Sequence, residues 1–152
     1  MYDRLLREAS DKGVDIYEKP MKPTIKGLYC DNNIWINKHL ATTSEKACIL
    51  AEELGHYYTS AGNILDQSKV ENRKQELKAR SWAYEKLFPL QKIVQAHQST
   101  VRNRYELAEF LGVTEEFLEE AIQRYREKYG PYTTIDNYTI CFDPLGVFEM
   151  FD

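Results

Sequence analysis

The 152-residue sequence predicts an α+β fold, mainly helical, with a small antiparallel sheet or hairpin and a C-terminal pair of helices. Three observations predict it. Several stretches repeat apolar residues at helical spacing, two short apolar runs flank Asp31-Asn32-Asn33, and the tail is rich in Tyr, Thr, Ile and Phe. No internal repeat, low-complexity tract or Gly/Ser/Pro-rich linker divides the chain, so one domain spanning 1–152 is the simplest organisation.

Residues 2–12 carry Leu5, Leu6 and Ala9 at helical spacing and stop at Gly13, a residue suited to a left-handed cap. A short strand, "VDIYE", follows. Next come two apolar runs, 28–30 and 34–36, and the Asp-Asn-Asn between them tolerates the left-handed conformations of a tight turn, which predicts a hairpin. The segment "ATTSEKACILAEELGHYYTSAG" opens with Thr42 and Glu45 at capping-box spacing and closes near Gly62, enclosing a largely buried helix. A long helical pattern over 68–96 must break or bend near Pro89, because proline lacks the amide donor and its ring meets the preceding turn. Two helices, about 102–111 and 115–129, are joined by Gly112-Val113-Thr114. There Thr114 is a suitable N-cap, and Glu115 and Glu116 suit the positive end of the helix dipole. The tail "YTTIDNYTICFDPLGVF" is strand-like.

Composition excludes several classes. A net charge of −4 argues against a protein whose main task is neutralising nucleic-acid phosphates. No run nears the roughly 20 apolar residues of a spanning helix, and "MYDRLLREASDKG" lacks the apolar core of a secretory signal, so a cytoplasmic protein is expected. Cys30, Cys48 and Cys141 are far apart with no C-x-x-C pair, and predict reduced core thiols.

The chemistry concentrates in "CILAEELGHYYTSAG", residues 48–62. Residues three and four apart share a helix face, so Glu52, Glu53 and His56 occupy one arc. Burying two adjacent anions costs several kcal/mol each unless a cation or hydrogen bonds compensate them. A divalent metal would do so directly. Zinc accepts carboxylate oxygen as well as imidazole nitrogen, which makes Glu52 and His56 candidate ligands of one ion. Glu53 is then the candidate base that takes a proton from water activated by the metal. A third ligand must come from elsewhere. In "KQELKARSWAYEKLFP", Glu76, Ala79, Ala83 and Leu87 form one stripe, and the small residues at 79 and 83 would let that helix approach closely near Gly55. Glu76 is the candidate, with Glu71 and Glu85 as alternatives.

The hairpin ending in Ile34-Trp35-Ile36-Asn37, the E-E-L-G-H helix and the Ala-x-x-Trp-Ala helix ending in Leu-Phe-Pro together resemble the ImmA/IrrE family of metallo-endopeptidases. The resemblance runs over roughly residues 10–130. It implies a zincin-like fold and a cytosolic zinc protease of a phage, prophage or other mobile element, whose protein substrate is a helix-turn-helix repressor. By this resemblance the family's second histidine falls on His56 and its catalytic glutamate on Glu53. Its first histidine falls on Glu52, so the signature reads E-E-x-x-H in place of H-E-x-x-H. Its later glutamate falls at Lys78 when Ala79, Trp82, Ala83 and Pro89 are the anchors, half a turn from Glu76. The alternative class is a regulator-binding protein that keeps the protease fold without catalysis.

The 104–129 region also has the cadence of a helix-turn-helix. The residues that would face DNA bases, Glu115, Glu116, Glu119 and Glu120, are acidic, which argues against direct nucleic-acid binding. His97 and His39 are further candidates for contact with a pocket, and Tyr57 and Tyr58 for packing or for oxyanion stabilisation.

Overall fold

The computed structural model describes residues 1–59 and 69–151, apart from the side chains of 69–71. Along the chain the described elements are α1 (Tyr2–Asp11), β1 (Asp15–Lys19), β2 (Gly27–Cys30), β3 (Asn33–Asn37), α2 (Thr43–Thr59), α3 (Lys69–Leu87), α4 (Leu90–Gln98), α5 (Arg104–Leu111), α6 (Glu115–Tyr129), β4 (Tyr132–Ile135), β5 (Tyr138–Phe142) and β6 (Leu145–Glu149). This is the mainly helical α+β arrangement the sequence predicts, with the strands in two small sheets. The elements fall into two compact units, residues 1–86 and 87–152.

In the first unit, α1 buries Leu5 and Ala9 and ends at Gly13, whose φ of +78° lies in the left-handed region that glycine enters without strain. The expected hairpin forms. β2 and β3 pair antiparallel through Asp31 and Asn32, both at positive φ, as a tight two-residue turn requires. β1 then joins the other side of β3 in parallel, giving the order β1-β3-β2 and leaving β2 at an edge. One face of β3 contributes the fully buried Ile34 and Ile36, which pack in the core with Leu50, Ala51 and Leu54 of α2. On the other face Tyr17 stacks on Trp35, ring centroids 5.9 Å apart.

The segment linking β1 to β2 is held by one side chain. Asn37 is buried; its amide donates to the carbonyls of Met21, Lys22 and Ile25, and its carbonyl oxygen accepts from the Met21 and His39 amides. Because every polar atom of Asn37 is matched, its burial carries little desolvation cost. Helix α2 starts where the capping box predicts: Thr42 Oγ1 accepts from the Glu45 amide at 3.1 Å, and the Glu45 carboxylate reaches back to the Ala41 amide at 3.3 Å. The stop expected near Gly62 lies outside the described residues.

In the second unit, the 68–96 pattern is broken where Pro89 predicts, with α4 beginning just after it. Gly112 caps α5 at φ +72°, and Thr114 Oγ1 accepts from the Phe117 amide to start α6. The tail forms the antiparallel sheet β4-β5-β6. The buried rings of Phe88, Tyr125 and Phe142 pack together, with the exposed Tyr129 stacked on Phe142, and the Tyr125 hydroxyl donates to the Phe88 carbonyl at 2.6 Å. All three cysteines are free thiols. Only Cys48 is a core residue, since Cys30 alternates outward on edge strand β2 and is exposed, and Cys141 is partly exposed.

Candidate functional site

The candidate site lies in the first unit, where α2 and α3 cross. Gly55 sets the crossing distance: a Cβ placed on it would lie 2.2 Å from the Ala79 carbonyl oxygen, far inside any real contact. The two backbones therefore touch at a point where no side chain fits, as the small-residue stripe of 79 and 83 leads one to expect. Glycine inside a helix costs roughly 1 kcal/mol relative to alanine, and the close approach it permits is what offsets that cost here. Alongside, Tyr58 of α2 stacks on Trp82 of α3 at 4.8 Å, and Tyr57 meets Tyr29 of β2 edge-on at 6.3 Å. Both tyrosines thus join a ring series that ties strand and helices together.

His56, one residue past Gly55, is buried at 6 % exposure. Its Nε2 lies 3.1 Å from Glu76 Oε1, and the Glu76 side chain remains about half exposed. Glu76 is thus the acid of α3 that reaches His56. Glu85 is exposed nine residues on, about 13 Å farther along the axis at 1.5 Å per residue, and the Glu71 side chain lies outside the described residues. Burial disfavours the charged imidazole, but the hydrogen bond and charge of Glu76, reinforced by Glu53 and Glu52, outweigh it and raise the His56 pKa. Reciprocally, the hydrogen bond from His56 holds the Glu76 carboxyl below its usual range.

Glu53 is covered by strand β2. A Cβ on Gly27 would lie 2.7 Å from Ile49 Cγ2 and 3.3 Å from Glu53 Oε1, so the bare backbone of that strand rests against the carboxylate. Burial pushes the Glu53 carboxyl up to about 7; His56 pulls it down, while the Glu52 and Glu76 charges push it further up. Gly27 was not identifiable as a site-forming residue from the sequence. The available signal was a glycine opening a strand, which marks close backbone approach.

Whether the residues suit a metal is tested by the donors themselves. Two donors on one tetrahedral zinc, at bond lengths near 2.0–2.1 Å, stand about 3.3 Å apart, close to the 3.1 Å between His56 Nε2 and Glu76 Oε1. His56 Nδ1 is buried without a hydrogen-bond partner among the described residues, so the ring's one described polar partner is at Nε2. Glu52 is near enough to act electrostatically on both Glu53 and His56. Among the described residues no three His, Cys, Asp or Glu side chains come together as a ready-made metal cluster. The spacing of the His56–Glu76 pair thus suits one ion, while Glu52 does not join them as a third donor among the described residues.

Two other histidines were candidates for contact with a pocket. His39 follows β3, its amide bonded to Asn37, and His97 lines a cleft within the second unit.

Comparison with known families gives one finding: the model of the IrrE N-terminal-like domain, Peptidase_M78, matches residues 9–123. No curated protein and no solved structure matches. The matched span contains α2, α3 and the β1-β3-β2 sheet, and therefore every candidate site residue.

Proposed function

The chain belongs to the IrrE N-terminal-like peptidase family, and from that premise we propose that it is a zinc-dependent endopeptidase with Glu53 as its general base. Membership implies a metal cofactor and a protein substrate. The observation that carries the finer reading is the placement of Glu53, His56 and Glu76 around the Gly55–Ala79 crossing. His56 and Glu76, with Glu52, would hold the ion. When bound, zinc supplies Lewis acidity that polarises a peptide carbonyl and acidifies water. Glu53 lies against the backbone of β2 and is half-buried, which raises its basicity over that of a fully hydrated carboxylate. There it accepts the proton of the attacking water and returns it to the leaving amine. The fixed Gly55–Ala79 crossing sets the separation of the two helices that carry His56 and Glu76. The substrate we propose is a helix-turn-helix repressor encoded by the same prophage or mobile element, met in the cytoplasm. No described helix is long and apolar enough to cross a membrane.

The test is cleavage of such a repressor by the zinc-loaded chain. Glu53→Gln should lower the rate by about 10²–10⁴-fold, the usual contribution of a general base, while retaining zinc by elemental analysis. His56→Ala should lose both. A parent protein that binds the repressor but never cuts it would transfer the assignment to the second reading, a regulator-binding protein with a protease fold. That reading is favoured by Glu52 at the first-histidine position and by the lack of a three-donor cluster among the described residues.

A further inference from the structure

The second unit contains a cleft of about 270 Å³ that the proposed peptidase chemistry does not use. It lies between α4, the connector 99–103, the first turn of α5, and Pro144 with the first residues of β6. Ile93, Ala96, Leu107, Leu145 and Val147 make its walls apolar. Its ionisable lining is of one kind: His97, Arg102 and Arg104, with no acidic residue. The cleft has room for a small organic ligand. Apolar walls with a few polar groups at one side are the usual make-up of a small-molecule site.

The cationic side is held in place by hydrogen bonds of both backbone and side chains. The Val101 amide donates to the Ala96 carbonyl at 3.1 Å, and Gln98 Nε2 donates to the Tyr138 hydroxyl at 2.9 Å. Asn103 Oδ1 accepts from the Glu106 amide and the Glu106 carboxylate accepts from the Arg102 amide, both at 2.8 Å. Between His97 and Val101 sits Thr100 at φ +59°. Thr100 follows the C-cap residue Ser99, and its left-handed conformation turns the chain so that the Val101 amide reaches back to the Ala96 carbonyl, the usual ending of a helix. Arg102 pairs with Glu106 and Arg104 with Glu119, acids outside the lining. Each guanidinium has five N–H donors, so one carboxylate partner leaves others for a ligand.

We propose that this cleft binds a small amphipathic carboxylate, its apolar body against Ile93, Leu107 and Val147 and its carboxylate at Arg102 and Arg104. The carboxylate would be received by the guanidinium N–H donors that the ion pairs with Glu106 and Glu119 leave free, donors that a cationic head cannot use. All the lining residues belong to 87–152, whereas Glu53, His56 and Glu76 belong to 1–86.

The experiment titrates the full chain with octanoate, 1-octanol and octylamine and follows backbone amide shifts by NMR. Octanoate should shift amides in 93–107 and 145–147 and bind at least about tenfold more tightly than 1-octanol, a difference of ~1.4 kcal/mol; octylamine should produce no shift there. The double variant Arg102→Ala/Arg104→Ala changes side chains that are largely or partly exposed, so it should fold and bind octanoate no better than 1-octanol. Equal binding of octanoate and 1-octanol, undiminished octanoate binding by the double variant, or no shift in this region would each overturn the proposal.

Discussion

A single absent methyl group at residue 55 lets α2 and α3 meet backbone to backbone, and the site is built around that contact. Gly55→Ala would gain helix propensity and lose far more, because the new Cβ meets a main-chain oxygen that has no rotamer to yield. The expected cost is about 3 kcal/mol, the upper end of ordinary overpacking, measured by urea unfolding. Circular dichroism should show the helices retained while zinc affinity falls, since Glu76 is carried away from His56. An unchanged midpoint would show that the helices separate freely. Much at this scale was legible in the sequence. Glu53 and His56 followed from helical spacing and family resemblance, and Gly55 with Ala79 from the run of small residues. Gly27 and Asn37 were not, because what they touch comes from other elements, and local sequence carries no record of it.

At the scale of elements, α1 is tied to its neighbours by two acids. Glu8 bonds Lys86 of α3 at 2.7 Å, and Glu18 of β1 accepts from the Tyr2 hydroxyl and faces Lys46 of α2. The Lys86 hydrogen bond lowers the Glu8 pKa, and the Tyr2 hydrogen bond lowers that of Glu18, in each case against the opposing effect of partial burial. A carboxyl depressed in the folded state stabilises the fold above its unfolded pKa, near 4.3. That contribution is lost as pH falls below this value and through the folded pKa. Stability should therefore decline below about pH 4.3, and Glu8→Gln should flatten the decline without changing its direction. A thermal-melt series from pH 3 to pH 7 would decide it, and an identical slope in parent and variant would remove Glu8 from the account. The caps at Thr42 and Thr114, the hairpin turn and the break at Pro89 were legible because each is a local rule confined to a few residues. The parallel pairing of β1 with β3 was not, since strand order depends on where a seven-residue connection runs.

At the scale of the molecule, the boundary between the two compact units falls at the last residue of α3, followed at once by Phe88 and Pro89. No polar or flexible linker stands there. We therefore propose that 1–152 is one domain and unfolds as one. Calorimetry should give a single transition whose measured enthalpy equals its van't Hoff enthalpy, whereas two resolved transitions would divide it at that boundary. The fold class was legible because periodicity reports helices and strands one by one. The gathering of the tail into its own three-stranded sheet was legible only as strand propensity, because pairing partners are chosen by the folded chain.

The Nδ1 of His56, without a hydrogen-bond partner among the described residues, makes the ring a witness to its own site. With a described polar partner at Nε2 alone, the neutral imidazole keeps its proton there, against Glu76. A zinc ion taking Nε2 would force that proton onto Nδ1, because the tautomer of a ligating histidine is set by which nitrogen holds the metal. Nitrogen-15 chemical shifts distinguish the two tautomers at alkaline pH. Occupancy could then be followed at one atom in an intact sample, with no substrate present, and a spectrum unchanged by added zinc would show that the metal does not bind through His56.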